Sequence, residues 1–137
     1  MSYKEKALEL HAQGYNCSQS VLCAFEDQIG LPREVLFKIS EGFGLGMGNM
    51  QGTCGAISGA IAALGFISSN GNYEVGTPKS KAATYKRTRN ILEGFEQARG
   101  SIRCKDLKTV NGPSFTPCSQ CVALAAELLE KELSQNN

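Results

Sequence analysis

Apolar positions along this chain recur at three- and four-residue intervals, the spacing of a helix face. Residues 3–13 put Ala7, Leu8 and Leu10/His11 on one side and stop at Gly14. Residues 17–29 put Val21, Leu22, Phe25 and Ile29 on one face before Gly30. Pro32 fits the first turn of a third helix, 32–41, with Val35, Leu36 and Ile39 as its apolar positions. A fourth helix is predicted over 53–67, with small residues at four-residue steps: Gly55, Gly59 and Ala63, then Ala56 and Ala60. Glycine costs ~1 kcal/mol against alanine inside a helix, so the stripe predicts a second backbone in close approach as compensation. That backbone belongs to the same chain or to a homodimer partner. Residues 79–99 predict a long basic helix with Tyr85, Ile91 or Leu92, Phe95 and Ala98 facing in. Residues 117–133 predict an amphipathic helix with Thr116 as N-cap and Pro117 at its first position; Cys121, Leu124, Ala125 and Leu128 share its face.

Sustained two-residue alternation is missing, and so are runs of β-branched residues. The pattern therefore predicts an all-α protein. It is a compact bundle of five or six helices, with a Gly-rich loop (42–48) before a central small-residue helix and a polar loop over 68–77. A length of 137 residues predicts one domain, 1–137, with no linker or internal repeat. Hydrophobic residues at 42% and charged residues at 20% fit a globular chain. The longest apolar-leaning run, Cys54 to Ile67, is broken by Gly and Ser and falls short of the roughly 18–20 residues of a membrane span. No apolar stretch follows Met1-Ser2-Tyr3-Lys4-Glu5-Lys6, so the expected compartment is a reducing cytoplasm.

Charge changes the picture little. The net value is +1, but residues 79–108 hold nine Lys/Arg against three acids. A solvated helix face explains this, or a surface for an acidic redox partner. Only Tyr85 and Phe95 interleave with the basic residues, so no nucleic acid is expected. The glycine run contains no GxGxxG, follows no strand and precedes no Gly-Lys-Ser/Thr, which excludes the usual nucleotide cradles. His11 is the single histidine. It excludes a two-His zinc site within one chain and argues against a Ser/His/Asp triad. No acid–base constellation stands out, so electron transfer or redox sensing is expected ahead of catalysis.

The six cysteines, Cys17, Cys23, Cys54, Cys104, Cys118 and Cys121, carry the candidate chemistry. Cys23 falls mid-helix among Val21, Leu22 and Phe25, as a core cysteine does. Cys17 and Cys54 open predicted helices, and Cys104 lies at the edge of a loop. Cys118-Ser119-Gln120-Cys121 is a CxxC pair, its side chains about 60° apart around the helix axis. Both fall in a first turn, where free amides and the helix dipole favour a thiolate. The pair suits a metal-ligand pair or a redox dithiol.

Tyr15-Asn16-Cys17-Ser18-Gln19-Ser20-Val21 and Thr53-Cys54-Gly55-Ala56-Ile57-Ser58-Gly59 resemble segments of the C_GCAxxG_C_C family, named for its cysteine pattern and described as redox-active. The order here is Cys-Gly-Ala, so the Gly-Cys-Ala of the name is not literal. The resemblance extends to the glycines of 42–48, to Cys104 ahead of Lys105-Asp106-Leu107, and to Cys121. It covers residues from about 5 to 133. It implies a helical redox or metal domain with Cys17, Cys54, Cys104 and Cys121 as ligands, and fusions of related domains to electron-transfer modules imply an iron–sulfur cluster. Cys23 and Cys118 stand outside the pattern. The four matched positions are 37, 50 and 17 residues apart, unlike zinc knuckles or ferredoxin spacings. Seven glycines between 42 and 59 give backbone room for a bulky sulfur-containing group. The expected function is therefore an iron–sulfur protein, with [2Fe–2S] the expected form, serving a redox partner. The alternatives are a thiol–disulfide protein using Cys118 and Cys121, and a zinc-stabilised interaction domain.

Overall fold

The computed structural model describes residues 1–135, and their regular structure is all helical, with no strands among them. The helices are α1 (Tyr3–Ala12), α2 (Cys17–Ala24), α3 (Glu26–Ile29), α4 (Arg33–Glu41), α5 (Gly44–Met47), α6 (Gly55–Ser68), α7 (Ser80–Arg99), α8 (Cys104–Lys108) and α9 (Cys118–Leu133). The all-α expectation holds. The helix expected over 17–29 is divided at Phe25, whose φ/ψ of −99°/18° leaves the helical region.

Helix α2 is the centre, and all eight of its residues are buried. Two of its polar residues, Gln19 and Ser20, find partners within the fold, while the buried Ser18 hydroxyl has none among the described residues. Asn16 caps it, and Asn16 and Gln19 exchange side-chain bonds with each other's amides at 2.9 and 3.0 Å. The Ser20 hydroxyl donates to the Asn16 carbonyl at 2.7 Å. Helix α6 packs against α2, as its small-residue stripe predicts. A Cβ on Gly59 would meet the Ser18 carbonyl oxygen at 2.5 Å, and one on Gly55 would meet that of Phe43 at 2.8 Å. The close approach is thus within the chain. Helices α1, α7 and α9 close the core, where Phe25, Leu22, Ile57, Ile91, Phe95 and Leu129 are buried.

Three helix faces differ from expectation. In α4 only Leu36 and Ser40 are buried, while Val35 and Ile39 are exposed. This nine-residue helix touches α2 along one narrow row. In α7, Tyr85 and Ala98 are exposed and the inward row is Thr84, Thr88, Ile91 and Phe95. The Thr84 hydroxyl donates to Ser68 at 2.9 Å, so a polar pair replaces the expected apolar contact. In α9, Pro117 is the N-cap rather than the first helical residue. Thr116 is buried, with its amide bonded to the Leu107 carbonyl at 2.8 Å, which ties the start of α9 to α8. Cys121 and Ala125 face inward as expected, but Val122, Ala126 and Leu129 complete the face and Leu124 and Leu128 lie at its edge. None of the helices described is long and apolar enough to cross a membrane.

Candidate metal and redox centre

Five of the six cysteines sit in the opening turns of four helices. Cys17 is the first residue of α2, Cys104 of α8 and Cys118 of α9; Cys54 is the N-cap of α6, and Cys121 is one turn into α9. The fold turns these helix starts toward one place. Residues 52–54 run antiparallel to 102–104, bridged at Thr53 and Arg103. The Cys54 amide donates to the Ile102 carbonyl at 2.8 Å, and the Cys104 amide to the Gly52 carbonyl at 3.0 Å. This short ladder sets Cys54 beside Cys104 despite fifty residues of separation.

The glycine run supplies the other wall. α5 is a single turn wound the left-handed way, with φ of 57° at Leu45, 55° at Gly46 and 67° at Met47. For Leu45 and Met47 this conformation costs on the order of 1–2 kcal/mol each. Gly46 carries no Cβ because the Cys104 side chain fills that space. The strained turn is therefore what lets the backbone lie directly on a cysteine.

The resulting cavity has a volume of about 190 Å³ and is lined by His11, Asn16, Cys17, Leu45, Cys54, Gly55, Cys104, Lys108 and Cys118. A larger concavity, about 310 Å³, lies between α1 and the start of α4. Cys23 is the one cysteine on its wall, so the sulfur chemistry belongs to the smaller space.

Within the centre the thiols form two pairs. Cys17 lies beside Cys118, their sulfurs within 4.8 Å, and Cys54 beside Cys121, whose thiol also donates to the Thr116 carbonyl at 3.7 Å. In each pair one sulfur keeps its proton and the other is favoured as thiolate. The Cys17 thiol lowers Cys118 to about 5, with the Lys108 ammonium adding to the effect. The Cys121 thiol lowers Cys54 to about 7, aided by the amides of Ala56 and Ile57 at the start of α6. Cys17 and Cys121, the proton holders, are pushed up by these same pairings and by burial. Burial also pushes Cys104 up. Lys108 donates to the Cys118 sulfur. Its charge acts on all five thiols, so one half-buried cation faces the whole cluster.

The four cysteines expected from the family pattern, Cys17, Cys54, Cys104 and Cys121, all reach this centre. Cys118 joins them, and Cys118 and Cys121 each pair with a different thiol rather than with each other. Cys23 is fully buried in the core, apart from the centre. Two groups escaped the sequence reading. His11, read from the sequence only as the single histidine of the first helix, is half-buried, with its ring nitrogen and the sulfurs of Cys17 and Cys118 all within 4.8 Å of one another. Lys108 was counted only among surface charges. Its spacing from Cys104, one helical turn on the same face, was the available signal.

Soft thiolates with an imidazole beside them are ligands for zinc, copper or iron–sulfur centres. The donor set fits a metal group, and Gly46 and Gly55 allow the backbone of the 43–46 turn to pack directly on Cys104 and on the start of α6 around it. Comparison with curated proteins finds no match, and comparison with solved structures finds none. Residues 15–132 match the family described as "Putative redox-active protein (C_GCAxxG_C_C)". With that match spanning most of its length, and with Cys17, Cys54 and Cys104 lining one cavity and Cys121 buried beside Cys54, the chain belongs to the C_GCAxxG_C_C family.

Proposed function

We propose that this protein binds an iron–sulfur cluster through Cys17, Cys54, Cys104 and Cys121 and exchanges electrons with a partner protein. The observation that carries the reading is the convergence of four helix starts on one cavity, lined by Cys17, Cys54, Cys104 and Cys118, with Cys121 buried behind it next to Cys54. Spacing favours a polynuclear group over a single zinc. Thiolates bound at about 2.3 Å around a tetrahedral zinc lie ~3.8 Å from one another. Among the described residues, His11, Cys17 and Cys118 are the only trio of metal-ligating side chains closed to within 4.8 Å. No trio drawn from Cys17, Cys54, Cys104 and Cys121 closes to that distance.

When bound, the cluster supplies a one-electron site. The chain's own residues set its surroundings. The amides at the start of α6 point toward Cys54 and stabilise negative charge on sulfur. Lys108 adds a positive charge, and Leu45 covers the cavity from the loop side. Arg103 and Lys105 are exposed beside the cavity, and neither pairs with a carboxylate among the described residues. That rim suits an acidic redox partner.

Protein purified without oxygen and reconstituted with ferrous iron and sulfide tests the reading. The expected result is a brown protein with visible charge-transfer absorption and iron matched by acid-labile sulfide. Serine at Cys54, Cys104 or Cys121 should abolish it. A colourless, iron-free protein after reconstitution overturns the reading. The two thiol pairs favour one other function, thiol–disulfide exchange. It predicts a two-electron titration of metal-free protein, with disulfides Cys17–Cys118 and Cys54–Cys121 identified by mass spectrometry.

A further inference from the structure

The centre holds more donors than a four-ligand cluster uses. Of the four family cysteines, Cys17 is the one with both a cysteine from outside the pattern and a histidine closed around it. Cys118 occupies the equivalent first position of its own helix, and its sulfur, that of Cys17 and a ring nitrogen of His11 lie within 4.8 Å of one another. The surplus is therefore confined to one corner. Resting on the cluster reading above, we infer that this corner is interchangeable: Cys118 takes the place of Cys17 as ligand.

Three features support the exchange. First, the two sulfurs already lie within 4.8 Å of each other, so replacing one by the other at a metal needs a small displacement. Second, both thiols belong to helix first turns, so either thiolate meets the same kind of amide environment. Third, Lys108 serves both: its ammonium donates to Cys118, and its charge also reaches Cys17. Whichever sulfur leaves the metal as thiolate finds that cation as its counter-charge. No bond between sulfurs forms in the exchange and no electron is consumed. One metal–thiolate bond breaks as another forms, and Lys108 changes partner. Such a corner lets a cluster alter its coordination without being lost, a property of redox sensors more than of simple carriers.

The test uses full-length protein reconstituted with ferrous iron and sulfide, then alkylated with iodoacetamide and mapped by mass spectrometry. In wild type, one thiol of the Cys17/Cys118 pair should be alkylated per chain and the other protected. Cys17→Ser should keep about half or more of the wild-type iron and protect Cys118 fully. Cys17→Ser combined with Cys118→Ser should lose iron by about tenfold or more, as Cys104→Ser does. Far-UV circular dichroism confirms that each variant is folded. If Cys17→Ser is folded yet loses iron as completely as Cys104→Ser, the exchange is overturned and the cluster reading stands. Protection of both thiols in wild type, or alkylation of both, also overturns it and requires no variant to fold. Wild type that takes up no iron overturns the cluster reading, and this inference with it.

Discussion

Replacing Gly59 by alanine tests the close contact that holds the centre's two sides together. The new Cβ would stand 2.5 Å from the Ser18 carbonyl oxygen, 3.1 Å from its Cα and 3.2 Å from its carbonyl carbon. All three are backbone atoms, so no rotamer change relieves the overlap, and α2 must move away from α6 by nearly 1 Å to restore contact distances of ~3.4 Å. Overpacking of this kind costs about 1–3 kcal/mol, and a clash against backbone belongs at the upper end. Alanine in a helix returns ~1 kcal/mol. The expected net loss is thus ~2 kcal/mol. Gly65 provides the control in the same helix, because nothing lies within 4 Å of its would-be Cβ. Gly65→Ala should gain up to ~1 kcal/mol, which separates the two variants by ~3 kcal/mol, or about two decades in the folding constant. Urea unfolding of metal-free protein, followed by far-UV circular dichroism with matched m-values, measures both. Ser18 adjoins Cys17, so Gly59→Ala should also weaken metal uptake, while Gly65→Ala leaves it unchanged. Gly59→Ala protein as stable as wild type, or more stable, would refute the reasoning.

Metal-free protein should gain stability as pH rises from about 5 toward 9. In that window the folded Cys17/Cys118 pair holds one proton, since Cys118 titrates at about 5, whereas the unfolded chain holds two below the ordinary thiol value of 9.0. Above that value the gain reverses, because folded Cys17 keeps a proton that the unfolded chain releases; denaturant midpoints that stay flat with pH refute the pairing. Lys108→Met should raise the pH midpoint of Cys118 alkylation in metal-free protein by about one unit, and an unmoved midpoint would remove Lys108 from the electrostatics of the centre. Cys23→Ala should cost ~1 kcal/mol through a small core cavity and leave metal uptake intact; loss of metal would show that the core cysteine supports the centre.

Apolar periodicity was enough to find α1, α4, α6, α7 and α9, since each buries a face against the bundle and its sequence carries that face. It failed where one contact row was narrow, as at Val35 and Ile39, and where threonine took an inward place beside a tyrosine, as at Thr84 and Tyr85. The small-residue stripe of α6 predicted a close backbone but could not say whose; the Ser18 backbone against Gly59 answers that. The cysteines followed a different logic. Their placement at helix starts was readable one helix at a time, and the family pattern singled out four. Their meeting depends on two features that leave no periodic trace. One is the bridge between Thr53 and Arg103, and the other is the left-handed turn at Leu45 and Gly46. The same two features explain the missed groups. Lys108 reaches the thiols because α8 begins at the bridge, and His11 reaches Cys17 and Cys118 because α1 packs along α9. A centre assembled from four helix starts is thus a property of tertiary pairing. Its donors could be named from the sequence, but the surplus at Cys17, on which ligand exchange depends, becomes visible only once α2 and α9 are set side by side.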